Sequence, residues 1–157
     1  MNLAKYDENY MRKALGEAVC AFEEDEVPVG AVIVHQQKVI ARAHNQIERL
    51  CDPTAHAEMI AITQACAFLR CKWLQDCVLY VTIEPCSMCA GALILSRIGR
   101  VVFGAHDPKT GAFGSKFDIN SLLLNHKIKV KSGVLADDAG MLLREFFQKK
   151  RQKQKET

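Results

Sequence analysis

The sequence predicts an α/β domain of three layers, α/β/α, with helices on both faces of a mixed five-stranded sheet. Two observations carry this. Short apolar, β-branched runs alternate with longer helical patterns, the order expected when helices cover a sheet. One run, Cys77 to Ile83, is apolar almost throughout rather than at every second residue, as in a strand buried on both faces. The length of 157 residues suits one domain with a substantial core, so residues 1–157 are read as a single unit. Apolar residues at 49% against 25% charged exclude a disordered chain, and no apolar run approaches the ~20 residues that span a bilayer.

Taken in order, Tyr10 to Phe22 reads as an amphipathic helix with Met11, Leu15, Ala18 and Phe22 along one stripe. The acidic run Glu23-Glu24-Asp25-Glu26 ends it as a solvated segment, and Pro28 prevents its continuation. Val29 to His35 and Lys38 to Ala43 form an antiparallel hairpin turned at Gln36-Gln37. Asn45 ends the hairpin and opens a polar loop to Cys51. Asp52-Pro53-Thr54 signals a helix start, with the helix running to about Leu69 and apolar on most sides. After the Cys77–Ile83 strand, Pro85 starts another apolar helix through Leu95, which lies beneath the sheet or meets a partner subunit. Arg100 to Phe103 is a short strand, and 104–117 is a Gly-rich loop. The stretch 118–125 offers only a short helical pattern as a crossover. Lys127 to Val134 alternates lysine with Ile128 and Val130, which suits an edge strand with its charges in water. Asp137 and Asp138 start a last helix, with Leu142, Leu143, Phe146 and Phe147 packing inward.

The net charge is +3, and residues 148–157 hold five cations against Glu156 alone, so the basic excess lies entirely in this C-terminal helix and tail. Such a tail either engages phosphates or is a solvated helix end favoured by the macrodipole. The N-terminus lacks an apolar secretory core, and seven cysteines without framework spacing suit a reducing compartment, so the expected location is the cytoplasm.

The chemistry concentrates in Thr54-Ala55-His56-Ala57-Glu58 and Glu84-Pro85-Cys86-Ser87-Met88-Cys89. Cys86 and Cys89, at i and i+3 on a helix, share a face and can hold one ion together. His56 can complete a three-ligand zinc site whose fourth position stays open to water, the mark of a catalytic rather than a structural zinc. Glu58 lies close enough to His56 to reach that water without binding the metal. Because residues two apart on a helix diverge, His56 and Glu58 serve one site only from a first turn, where the start signal puts them. A lone Cys-x-x-Cys also occurs in redox dithiols and zinc ribbons, but a ribbon needs a second pair that the chain lacks. The remaining cysteines, Cys20, Cys51, Cys66, Cys71 and Cys77, read as packing residues. His44, His106 and His126 read as loop or surface polarity. Asn45, without further context, is a turn former.

His-x-Glu followed by Pro-Cys-x-x-Cys resembles the signature of the zinc nucleobase deaminases. Over nearly the whole chain, the sequence resembles the cytidine-deaminase-like fold and, within it, the bacterial tRNA-specific adenosine deaminases. The segments that carry the likeness run from Glu26 to Val32, Asp52 to Glu58, Glu84 to Ala92 and Ser96 to Gly104, with the loop Asp107 to Ala112 most telling for the tRNA branch. The resemblance implies one Zn²⁺ per subunit on His56, Cys86 and Cys89, with Glu58 as proton shuttle. It also implies a homodimer that converts the wobble adenosine of a tRNA anticodon to inosine. It assigns Asn45 to the flipped base, and Val29 with the backbone around Ile83 and Glu84 to its pocket. Asp107 and Lys109, Thr110 and Gly111 fall to the anticodon strand, and Phe146 with Phe147 to the helix flanking it. The chain departs from the pattern at Gln46-Ile47, where a proline is expected, and at His106, where an arginine is more usual; both positions lie among the substrate contacts that the resemblance implies. Two rivals remain: a deaminase of free bases or nucleotides of guanine or cytosine type, and a zinc-stabilised RNA-binding subunit without turnover.

Overall fold

The computed structural model describes residues 2–157; Met1 lies outside the described residues. Its centre is a mixed sheet of five strands in the order β2-β1-β3-β4-β5. β1 (Gly30–His35) and β2 (Lys38–His44) form the expected hairpin, closed by Gln36 and Gln37 with φ of 48° and 63°. Two consecutive positive φ values match the right-handed twist of the strands they join. β1 also pairs antiparallel with β3 (Cys77–Ile83), while β3, β4 (Arg100–Ala105) and β5 (Lys129–Lys131) run parallel.

Alternation along the strands sorts the core into two layers. Ile33, Leu79 and Val101 face α3 (Ala57–Leu69) and α4 (Ser87–Leu95). Val32, Tyr80 and Val102 face the other way, towards Met11 and Ala14 of α1 (Leu3–Glu23). The last helix, α5 (Ala136–Lys155), packs on that second side, where Phe146 meets Phe22 with ring centroids 5.9 Å apart. This is the three-layer arrangement expected. α1 rides unusually close to the sheet, because its buried stripe is mostly alanine and β1 opens with glycine. A Cβ at Gly30 would lie 2.0 Å from the Ala14 carbonyl oxygen.

Several boundaries and burials differ from expectation. α1 begins at Leu3, because the Asn2 side chain accepts the Lys5 amide at 3.0 Å and caps the helix well ahead of Tyr10. Its buried stripe is Asp7, Met11, Ala14, Ala18 and Ala21, with Leu15 and Phe22 only half-buried. The acidic run is not uniformly solvated: Glu26 is buried and accepts the amides of Glu48 and Arg49 at 3.2 and 2.8 Å. Those amides open a short helix, α2 (Ile47–Leu50), within the expected polar loop. Asp52-Pro53-Thr54 forms a turn, in which Asp52 accepts the Thr54 amide at 2.8 Å, and α3 starts only at Ala57. β4 extends to Ala105, so the loop begins at His106. A 3₁₀ turn at Ile119–Leu122 replaces a crossover helix. β5 keeps only three residues, and Lys131 turns from solvent to pair with Asp7 at 3.0 Å. Phe147 is 43% exposed, because one residue beyond buried Phe146 is about 100° around the helix. Cys20, Cys51 and Cys71 are exposed rather than packed. Among the described residues no helix is long and apolar enough to cross a membrane.

Candidate active site

Two helix N-termini meet beyond the C-terminal end of β3. His56 is the N-cap residue of α3, with extended φ −75° and ψ 150°, and Glu58 follows in the first turn. Cys86 is the N-cap residue of α4 and Cys89 lies in its first turn. Neither cap residue bonds its own helix through its side chain, so both side chains are free to turn towards a common point. The imidazole Nδ1 of His56 lies 3.7 Å from Cys86 Sγ and 3.5 Å from Cys89 Sγ, and the three donor atoms lie within 4.8 Å of one another.

These separations test whether zinc fits. Zn–S near 2.3 Å and Zn–N near 2.0–2.1 Å at a tetrahedral angle place sulfur and nitrogen about 3.6 Å apart. The donor set and its spacing match a tetrahedral zinc with one position left for another ligand. Electrostatics favour a thiolate at one of the two cysteines. Bonds from the Cys89 thiol and the His56 imidazole bring the Cys86 thiol down to about 4, while the same thiol bond and burial push Cys89 up. Its bond to Cys86 raises His56 against the effect of burial. Positive helix ends favour the anionic form of Cys86 as well. Glu58, 3% exposed, is raised by burial, with its own backbone N–H and His56 opposing. A carboxyl raised in this way suits a group that must both take and give protons near neutrality.

The site opens into a cleft of about 810 Å³, whose wall includes His56, Glu58 and Cys86 together with Val29, Asn45, Ile83 and Glu84. That volume accommodates a nucleobase with its sugar and neighbours. Asp107, Lys109 and Thr110 form one lip and Phe147 another. Thus most of the expected substrate residues converge on one cavity. Two do not line it. Phe146 is buried against Phe22 on the far side of α5. Gly111 lies behind the lip, where a Cβ would fall 2.3 Å from the Glu84 carboxyl carbon. The Asp107 carboxylate is engaged within its own loop, accepting the amides of Lys109 and Thr110 at 2.9 and 3.3 Å and the Thr110 hydroxyl at 2.8 Å.

The cleft wall also contains Ile47 and His106, the two positions of departure that the resemblance sets among the substrate contacts, together with Asp137, Gly140 and Arg144, which no motif marks. The α5 members recur at Asp137, Gly140, Arg144 and Phe147, a helical spacing that could have marked one face. Ile47 carries no periodic signal, because it stands in a one-turn helix held by a distant carboxylate, and only the resemblance marks its position.

Comparison with known proteins places this geometry among relatives. A family model of MafB19-like deaminases matches residues 5–151. The chain is 52% identical over 145 residues to a tRNA-specific adenosine deaminase of Aquifex aeolicus, covering 92% of this chain and 95% of the relative. It is 48% identical over 150 residues to the tRNA-specific adenosine deaminase of Bacillus subtilis, covering 95% and 93%. A solved structure from studies of A-to-I editing by tRNA:A34 deaminases superposes with a TM-score of 0.80 at 42% identity, over 86% of this chain and 99% of that one. A guanine deaminase from Nitrosomonas europaea superposes nearly as well, with a TM-score of 0.77, but at 27% identity over 88% and 83%.

Proposed function

The chain belongs to the MafB19-like deaminase family and to the tRNA-specific adenosine deaminases, and on that premise we propose a zinc-dependent, hydrolytic conversion of the wobble adenosine of a tRNA anticodon to inosine, with release of ammonia. One observation carries the chemistry. His56, Cys86 and Cys89 present three zinc donors to a single point, while Glu58, outside that donor set, stands buried in the cleft beside them.

When bound, zinc acidifies a water molecule enough to furnish a nucleophile near neutral pH. The target base leaves its stack at a cost of a few kcal/mol, least for an unpaired anticodon loop, and enters the cleft. Val29 and Ile83 offer it apolar contact, and Asn45 holds its edge. Lys109 and Thr110 at one lip and Phe147 at the other flank the strand on either side of it. Glu58 accepts a proton from the attacking water and delivers it to the ring nitrogen beside the reacting carbon. The water oxygen bonds to the carbon bearing the amino group. Glu58 then takes the remaining proton from that oxygen and passes it to the amino nitrogen, the carbon–nitrogen bond breaks as the carbonyl forms, and ammonia leaves.

The proposed assembly is a homodimer. Its support is large apolar side chains left uncovered in one chain, with Leu95 of α4 80% exposed and Leu123 after the 3₁₀ turn 92% exposed. Exposed apolar faces mark protein interfaces, and light scattering of the purified protein should give twice the mass of the chain. A tRNA substrate fits the cytoplasm, the proposed location.

Nucleoside analysis of bulk tRNA before and after incubation with the purified, zinc-loaded protein tests the function. Inosine should replace adenosine at the wobble position. The second reading, favoured by the close superposition on a guanine deaminase, predicts instead ammonia from free guanine and none from an anticodon hairpin.

A further inference from the structure

We infer that Glu84 is a positioning residue, whose carboxylate holds the loop 106–115 in its substrate-binding shape and requires glycine at position 111. The inference rests on the RNA-deaminase reading for what the loop binds, but not for how the loop is held. Although Glu84 belongs to the cleft wall, its side chain has no exposed surface, so it cannot itself grip a substrate. Its two oxygens accept five bonds, all from one stretch of chain. Oε1 takes the Asp107 amide at 3.1 Å, the His106 ring Nδ1 at 3.2 Å and the Ser115 hydroxyl. Oε2 takes the amides of Phe113 and Ser115 at 3.0 and 3.1 Å. A buried carboxylate is costly unless it is fully bonded, and here the loop alone supplies the donors.

The loop is also fastened to the backbone on either side of Glu84. The Glu84 amide donates to the Ala105 carbonyl at 2.9 Å, the Ala112 amide donates to the Pro85 carbonyl at 2.9 Å, and Gly111 bridges to Cys86. Between these fastenings the chain must cross the face of the carboxylate. A Cβ at position 111 would stand 2.3 Å from both the Glu84 carboxyl carbon and Oε2, so only glycine passes there. The consequence is a rigid link. Glu84 lies two residues before a zinc ligand and fixes the turn that presents Lys109 and Thr110 at the lip, so the metal and the RNA-facing loop keep one spacing.

Two variants test this in the zinc-loaded protein. Glu84→Gln keeps the shape but turns an amide group towards donors, and Gly111→Ala pushes the loop off an intact Glu84. In both, amide hydrogen exchange at Asp107, Phe113 and Ser115 should quicken roughly tenfold or more, while amides in β3 keep their protection. Zinc should remain at one per chain. On an anticodon hairpin, KM should rise roughly tenfold with a smaller fall in kcat, the signature of lost binding rather than lost chemistry. The double variant should be little worse than the worse single, because both act on one contact. Unchanged exchange in the loop, loss of zinc, or a fall in kcat at constant KM would overturn the proposal. If the unmodified protein edits no RNA but the loop amides respond as described, the substrate assignment fails and the anchoring role stands.

Discussion

The side-chain oxygen of Asn45, at the end of the β1–β2 hairpin, accepts the amide of Ala57 at 2.8 Å. Ala57 is the residue between His56 and Glu58, so this bond orients both. It also does what the cap residue does not do. A helix N-terminus leaves amides unpaired, and a serine, threonine or aspartate at the cap usually satisfies one of them. Here the cap position is His56, whose imidazole faces the cysteine sulfurs, and Asn45 supplies the missing acceptor from another element. Asn45→Ala should therefore lower stability by about 1 kcal/mol, the usual value of a cap, and lower kcat/KM as well. Denaturant melts and steady-state kinetics on the same zinc-loaded samples check both effects.

Glu58 is outside the proposed donor set, so its removal should separate chemistry from metal binding. Glu58→Ala should retain zinc by elemental analysis and lose activity by roughly 10²–10⁴-fold, the range for a general acid–base group. Full turnover in this variant would end its assignment as proton carrier.

Zinc should also stabilise the fold, since its three ligands tie the start of α3 to the start of α4. Removing it with a strong chelator should abolish turnover and lower the melting temperature, and readdition should restore both. A metal present at 100 times its Kd contributes about 2.7 kcal/mol. Cys86→Ala should lose zinc and behave like the chelated protein, which elemental analysis and a thermal melt would show.

Stability should fall in acid through Asp7. Its buried carboxylate takes two bonds from Arg100 at 2.8 Å each, one from Lys131 at 3.0 Å and one from the Tyr80 hydroxyl at 2.9 Å. Burial pushes this carboxyl up, but the bonds outweigh it and bring it from an ordinary 3.8 down to about 2. The unfolded chain thus binds the proton more readily than the folded one. The contribution, about 2 kcal/mol, is complete above the unfolded value and lost as pH falls from about 4 towards 2. Asp7→Asn should lower stability at neutral pH and flatten this part of the pH profile, as urea melts between pH 2 and 7 would reveal.

Glu26 makes a parallel case to Asn45. By holding the amides of Glu48 and Arg49 it sets the turn that carries Ile47 into the cavity. From its neighbours in the chain it was indistinguishable from three solvated carboxylates. Only contact with a segment more than twenty residues away distinguishes it. The start of α3 at Ala57, later than expected, has a related reason. Asp52-Pro53-Thr54 has the composition of a helix start, but the Asp52 side chain closes on Thr54 and makes a turn instead.

Local chemistry written along the chain was enough for the layer order, the hairpin with its two-residue turn, the central buried strand and the four groups His56, Glu58, Cys86 and Cys89. Periodicity and ligand spacing are short-range properties: the hairpin turn, the apolar strand and each half of the donor set, His56 with Glu58 and Cys86 with Cys89, are written within a few neighbouring residues. What only the folded arrangement decided is which buried carboxylates serve as anchors, which lysine pairs with Asp7, and which aromatic of the Phe146-Phe147 pair faces the cleft. A buried polar group is assigned by the donors that reach it, and those come from parts of the chain that meet only when the sheet and its helices have packed.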